Sequence, residues 1–272
     1  MAPGAHTVAV IGTGKIGELM LSGLLRAGWP AERLLATTRR PSRAEEITAR
    51  YGVPVVDNLV AVAEADVLAI SVKPQDADAL LDEIGPKVPA DKLLISLCAG
   101  LPTSFFARRL PEGTPVIRVM TNTPALVDQA MTAISAGSHA TGAHLELAEE
   151  MFRPLGATIR VPEAQQDAVT ALSGSGPAYF YLLVEAMVDA GILLGLPRQV
   201  AHELIVQTAI GSATMLRDSG EHPVKLREAV TSPAGTTISA IRELENHGVR
   251  AALLAALEAA RDRAREIAAQ HE

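Results

Sequence analysis

Two short stretches hold residue types whose spacing can do chemistry. The first, Gly12-Thr13-Gly14-Lys15-Ile16-Gly17, follows the apolar run HTVAVI and opens the amphipathic segment KIGELMLSGLL. A G-x-G-x-x-G pattern is weak alone, but between a strand and a helix it suits a loop that holds a pyrophosphate. Gly12 allows the tight turn, Gly14 lets the ligand approach the backbone, Gly17 allows close helix-to-strand packing, and the helix N-terminus favours the negative charge. The second stretch, TSPAGTT from Thr231 to Thr237, has hydroxyls, a proline and a glycine, and nothing that titrates near neutral pH. Its amides and hydroxyls, at the mouth of a helix beginning near Thr236, suit either a small carboxylate ligand or a plain helix cap and turn.

About twenty residues beyond the first loop, an NAD-selective site places Asp or Glu on the adenosine ribose hydroxyls. LLATTRRPS stands there instead. Thr38, Arg39 and Arg40 match a ribose 2′-phosphate, and no carboxylate at the strand end repels it. The expected cofactor is NADPH, with NADH weaker.

A nicotinamide cofactor supplies hydride, and reduction of a ketone then normally needs a proton donor. The familiar donors are missing: Tyr179 is followed by Leu183 at the position of a Tyr-x-x-x-Lys lysine and Tyr181 by Glu185, and no Lys, Arg or His lies between Val161 and Pro197. An imine differs, because its conjugate acid forms near neutral pH and solvent can deliver the proton beforehand. A site without a titrating residue can therefore reduce a small imino acid, with TSPAGTT on its carboxylate.

These stretches need elements to position them. Up to about residue 160, short β-branched runs alternate with amphipathic segments (HTVAVIG, RLLATT, VPVV, DVLAISV, KLLISLCAG, PVIRVMTN, AMTAISAG, GATIRVP), the pattern of a doubly wound parallel sheet with an antiparallel far edge. After Pro162 the strand runs stop, and the spacing predicts helices over 164–172, 177–195, 198–217, 222–230, 236–247 and 249–269. The expected domains are 1–163, a dinucleotide-binding α/β domain, and 164–272, all helical. The segment YFYLLVEAMVDAGILLGL is apolar on nearly every face, so other helices or a second subunit must enclose it, and a homodimer through the helical half follows.

Composition excludes other classes. A net charge of −7 with scattered Lys and Arg gives no footprint for nucleic acid. The longest apolar run, Ala178 to Leu196, is broken by Glu185 and Asp189, and Met1 to Ala5 lack a basic segment followed by an apolar core. A soluble, cytoplasmic protein with no membrane partner is expected. The single cysteine, Cys98, ends an apolar run and reads as a buried structural thiol, and the seven histidines form no HExxH or comparable cluster, so no metal site is expected.

The whole chain resembles the Δ1-pyrroline-5-carboxylate reductases, through VAVIGTGKIGELM, SVKPQ at 71–75, RVMTNTPALV at 118–127, LSGSGPAYFY at 172–181 and EHPVKLREAVTSPAGTT at 221–237. The resemblance implies an α/β Rossmann-type N-terminal domain, an all-α C-terminal dimerisation domain that interlocks with its twin, often a decamer of five dimers, and NADPH-dependent reduction of pyrroline-5-carboxylate to L-proline. Carried over residue by residue, it places Gly12, Thr13, Gly14, Lys15, Ile16 and Gly17 on the pyrophosphate, Thr38 and Arg39 by the adenosine ribose, and Asn58, Val72, Lys73 and Pro74 along the cofactor. Ala99, Gly100 and Asn122 approach the nicotinamide end. Ser232, Gly235, Thr236 and Thr237 take the substrate carboxylate, the Thr237 hydroxyl lies near the ring nitrogen, and Ser175 has a substrate-side role.

Two departures stand out. Many members carry Gly-Gly where this chain has Ala234-Gly235, so a positive φ at the first position costs an Ala energy, and Thr121 replaces a proline common in the family. Apart from the family, SVKPQ reads as a strand end and proline turn, and GSGPAYF as a helix start. Two other readings stay open on the residues: a different NADP-dependent reductase of a small carboxylated substrate, and a non-catalytic NADP-sensing dimer.

Overall fold

In the computed structural model, which describes residues 5–269, seven strands form one sheet. Residues 1–4, where most of the stretch read for a leader falls, and 270–272 lie outside the described residues. The strands are β1 (Val8–Ile11), β2 (Leu34–Thr37), β3 (Val67–Ile70), β4 (Leu93–Ser96), β5 (Val116–Met120), β6 (Ala130–Ala136) and β7 (Gly156–Arg160), in the order β2-β1-β3-β4-β5-β6-β7. β1 to β5 pair parallel, β6 runs antiparallel to β5, and β7 runs parallel to β6, so the antiparallel edge expected from the sequence is present. The first four strands are buried at every position, which is why they read as unbroken apolar runs rather than alternating ones. Successive residues of β1 enter different cores: Val8 and Val10 join Leu24, Trp29 and Phe152 on one face, while Ala9 and Ile11 join Leu81, Phe105 and Phe106 on the other.

VPVV does not become a strand. Only Val55 bridges Ala36, through Ala36 N to Pro54 O at 2.9 Å and Val56 N to Ala36 O at 3.0 Å. Pro54 has no N–H to extend the ladder.

The helices between the strands are α1 (Lys15–Arg26), α2 (Pro41–Tyr51), α3 (Asn58–Glu64), α4 (Ala77–Ile84), α5 (Thr103–Ala107) and α6 (Gly142–Phe152). Beyond β7 come α7 (Gln166–Val169), α8 (Gly176–Leu193), α9 (Arg198–Ser219), α10 (Pro223–Ala229), α11 (Thr236–Asn246) and α12 (Val249–Ala269). The helix expected over 164–172 is α-helical only at Gln166–Val169, and the chain then widens into a π-helical turn, Thr170–Gly174. That turn is closed by Ser175 N donating to Thr170 O at 2.8 Å.

The chain divides into two compact units, Met1–Ser175 with Ala260–Glu272, and Gly176–Ala259. The sequence division at 163/164 follows the change from strands to helices, whereas the compact unit keeps α7 with the sheet. Gln166 Nε2 donates to Ser135 Oγ at 2.8 Å, and the buried Arg118 pairs with Asp167 at 3.1 Å. In the helical unit, Gly191 of α8 lies against Ala201 of α9 so closely that a Cβ on it would sit 2.8 Å from the Ala201 methyl. Val188 and Ala201 are the only buried apolar side chains among this unit's described residues, while Phe180, Tyr181, Met187, Leu193, Ile210 and Met215 are exposed.

Candidate active site

β1, β3 and β4 end in register, Ile11 beside Ile70 and Ile70 beside Ser96, so the loops after these parallel strands share one edge of the sheet. Dinucleotides bind at such an edge. The glycine loop is braced by the neighbouring strand ends. Thr13 N and Oγ1 both donate to Thr37 O, at 2.8 and 3.0 Å, Gly12 N donates to Thr37 Oγ1 at 3.2 Å, and Ser71 Oγ donates to Gly12 O at 2.8 Å.

The three glycines have different reasons. Gly12 sits at φ +85°, and a Cβ there would lie 2.4 Å from Val72 Cγ1. A Cβ on Gly17 would lie 2.6 Å from Ser71 Oγ and 3.0 Å from Val10 Cγ1, so this position packs the helix on the strands. A Cβ on the exposed Gly14 would meet nothing nearer than Gly12 O at 4.0 Å, so the space before it is open to a ligand. No side chain caps α1, and the amides of Lys15, Ile16 and Gly17 start the helix without intrahelical acceptors. These features fit a pyrophosphate.

Under the loop, α1 is tied to α2. Arg43 is bonded to Glu18 and, at 2.6 Å, to Glu46, and its Nε faces Thr13 O at 3.5 Å. Tyr51 Oη and Arg50 Nη1 both donate to Glu18 Oε1, at 2.8 and 3.1 Å. Burial alone would raise the Glu18 carboxyl, but the Tyr51 and Arg43 hydrogen bonds and the charges of Arg43 and Arg50 outweigh it and hold it below the usual range.

A cleft of about 1190 Å³ opens at this edge. It gathers Gly12, Thr13, Gly14, Thr38, Arg39, Asn58, Val72 and Lys73, eight of the residues expected to hold the cofactor. Lys15, Ile16, Gly17 and Pro74 adjoin these in sequence without lining it. Arg40, expected with Thr38 and Arg39 to match a ribose 2′-phosphate, lines it too, and Ser71, Asp57, Gln75, Asp76 and Glu83 line it without having been singled out as site residues. Ser71 and Gln75 lie within SVKPQ, so adjacency to a motif was the available signal for those two. Asp76 and Glu83 had none: Arg39 Nη2 lies 3.0 Å from Asp76 Oδ2, and Asn58 Nδ2 donates to Glu83 Oε2 at 3.0 Å.

Ala99, Gly100 and Asn122 follow β4 and β5 and are not part of the cleft's lining. Ala99 is exposed. Gly100 faces Ile267 of α12, whose Cγ2 would lie 2.9 Å from a Cβ. Asn122 is nearly buried and uses both ends of its amide: Nδ2 donates to Ser173 O at 3.1 Å, and Oδ1 accepts from Met131 N at 3.1 Å. It thereby ties the π-helical turn that leads into Ser175 to β6.

In the helical unit, Gly235 N donates to Ser232 O at 3.1 Å and Ala234 has φ +57°. Pro233 then occupies the second position of a turn whose third has positive φ, the type II pattern. Gly235 is the N-cap of α11 and no side chain caps it, so the amides of Thr236, Thr237 and Ile238 open the helix unpaired within it. Ser232-Pro233 is therefore not a helix cap.

Cys98 is buried and its thiol is pushed up from 9.0 to about 12 by burial, against the Ser96 and Val72 hydrogen bonds, so it is neither nucleophile nor ligand at neutral pH. Among the described residues, no group of three His, Cys, Asp or Glu can hold a metal ion. Residues Glu163–Leu193 form the one helical stretch among the described residues that is long and apolar enough to cross a membrane.

Parallel sheet, glycine loop and cleft define an oxidoreductase that uses a nicotinamide dinucleotide, and residues 7–100 match the family model "NADP oxidoreductase coenzyme F420-dependent". Residues 163–267 match "Pyrroline-5-carboxylate reductase dimerisation". The chain is 42% identical to the pyrroline-5-carboxylate reductase of Mycobacterium tuberculosis, over 97% of both chains. It is similar to the solved pyrroline-5-carboxylate reductase of Coxiella burnetii at TM-score 0.89 and 33% identity, covering 96% and 98% of the two chains. The Plasmodium falciparum pyrroline carboxylate reductase with NADP bound gives TM-score 0.89 at 26% identity, covering 97% and 98%. The chain belongs to the pyrroline-5-carboxylate reductase family.

Proposed function

We propose that this chain reduces Δ1-pyrroline-5-carboxylate to L-proline with NADPH, NADH being a weaker donor, as a cytoplasmic homodimer joined through its helical region. The observation that carries the substrate reading is the 231–237 turn: an uncapped helix N-terminus, flanked by hydroxyls and free of titrating groups. Ser232, the backbone of Gly235 and the free amides of Thr236 and Thr237 bind the carboxylate, where the helix dipole favours a negative charge. The Thr237 hydroxyl orients the ring nitrogen, and Ser175 serves the substrate side. No residue has to donate a proton, because solvent forms the iminium before reduction.

When bound, NADPH supplies the hydride. Gly12, Thr13, Gly14, Lys15, Ile16 and Gly17 would hold its pyrophosphate and Thr38 and Arg39 its ribose phosphate. Asn58, Val72, Lys73 and Pro74 would line its length, with Ala99, Gly100 and Asn122 toward the nicotinamide. The open space at Gly14 and the free amides of α1 support this assignment. The functional division is drawn at 1–163 and 164–272, supported by the start of the matched dimerisation region at 163.

The exposed apolar side chains of α8 and α9 are what a partner copy covers. The same covering accounts for the apolar stretch 163–193 without a membrane, since Glu185 and Asp189 interrupt it. Sedimentation of the purified chain decides between the dimer and an assembly of five dimers.

The decisive assay mixes purified chain, NADPH and pyrroline-5-carboxylate and follows the nicotinamide absorbance. Oxidation of NADPH with formation of proline is expected. Activity on a 2-keto acid but not on this imine would replace the reading with another reductase.

A further inference from the structure

Arg39 and Asp76 face each other across the cleft wall. Arg39 Nη2 lies 3.0 Å from Asp76 Oδ2, with the arginine side chain 82% exposed and the aspartate 30%. Both line the cleft. Asp76 ends the turn Pro74–Asp76 after β3, and although it is the N-cap residue of α4 its carboxylate caps no helix amide. Arg39 is the only partner of that carboxylate among the described residues. The nearby Arg43 is committed elsewhere, to Glu18 and Glu46.

We propose that Asp76 sets the preference between NADPH and NADH by competing with a ribose 2′-phosphate for Arg39. The inference rests on the cofactor reading above. A phosphorylated ribose must draw Arg39 away from Asp76 and also meets the carboxylate's charge, whereas an unphosphorylated ribose leaves the pair intact. The pair is exposed and cheap to open, so it does not block NADPH but lowers its advantage. The carboxylate that an NAD-selective site places at the end of β2 is thus replaced by one arriving from the end of β3, acting on the arginine rather than on the ribose.

The test measures NADP⁺ and NAD⁺ binding to the full chain by calorimetry, for the parent, Asp76→Asn, Arg39→Ala and the double variant. Asp76→Asn is expected to tighten NADP⁺ by roughly three- to tenfold while NAD⁺ moves by less than about twofold, and raised salt should shrink the gain. In the Arg39→Ala background the same change should yield less than about twofold. Should Asp76→Asn fail to fold, Asp76→Ser serves in its place. An unchanged NADP⁺ to NAD⁺ ratio, or an equal gain without Arg39, overturns the proposal. A parent chain that binds neither dinucleotide overturns the cofactor reading itself, so the two failures are distinguishable.

Discussion

The Ser232 hydroxyl lies over the Cα of Gly235, so that a Cβ on Gly235 would sit 2.3 Å from Ser232 Oγ and 3.2 Å from Ser232 O. The glycine is there because the serine folds back on it, and the serine is held at the mouth of α11 by that contact. Gly235→Ala must therefore push the Ser232 side chain aside. Since a hydrogen bond to a charged group is worth about 1.5–3 kcal/mol, the KM for pyrroline-5-carboxylate should rise by about tenfold or more, with the cofactor KM unchanged. Adding Ser232→Ala to Gly235→Ala should cost little further. Additive losses in steady-state kinetics would mean the two residues act separately.

Ala234 carries φ +57°, a conformation that costs an L-residue about 1–2 kcal/mol. Ala234→Gly removes that strain and adds about 0.4–1 kcal/mol of unfolded-state entropy, so stability should hold or rise. Ala259→Gly, in the exposed middle of α12, should instead lose about 1 kcal/mol. Thermal midpoints of the two variants side by side give opposite signs if the φ value matters.

Thr237→Val keeps the shape of the side chain and removes its hydroxyl. Losing one neutral hydrogen bond, about 0.5–1.5 kcal/mol, predicts a threefold to tenfold fall in kcat/KM for the imine with NADPH affinity unmoved and the dimer intact. Parent rates in this variant would leave the loop acting through its backbone alone.

The buried Cys98 thiol, at about 12 in the fold against 9.0 when free, makes stability depend on pH. Its pKa is raised by folding, so its contribution is whole below about pH 9 and is lost as pH climbs toward about 12, by about 1.4 kcal/mol per pH unit in that window. Urea midpoints of the parent should fall more steeply between pH 9 and 11 than those of Cys98→Ala. Equal slopes would mean the thiol ionises freely in the fold.

What the sequence determined by itself was whatever follows from local backbone rules and periodicity. Alternating apolar and amphipathic runs set seven of the eight expected early strands, and the late succession of strands foretold the antiparallel edge. Glycine spacing marked the loop that opens α1, because a turn, an open approach and a tight packing contact each demand a missing side chain at a set interval. The Ala234 departure could be named from residue types, but only the fold decided that this position takes positive φ.

Tertiary structure decided the contacts between residues distant in the chain, for which no local rule exists. VPVV has strand composition, yet the free edge it meets on β2 allows a single bridge because Pro54 cannot donate. The helix after Pro162 loses its α-helical register where Asn122, fifty-one residues earlier, takes the carbonyl of Ser173. Arg39 was legible as a cleft residue from its place after β2, but its pairing with Asp76 arises only because β2 and β3 flank β1 and their ends converge on one cleft. Charge partners across a sheet edge are set by strand order, and strand order is fixed by packing of the whole sheet rather than by any stretch of it.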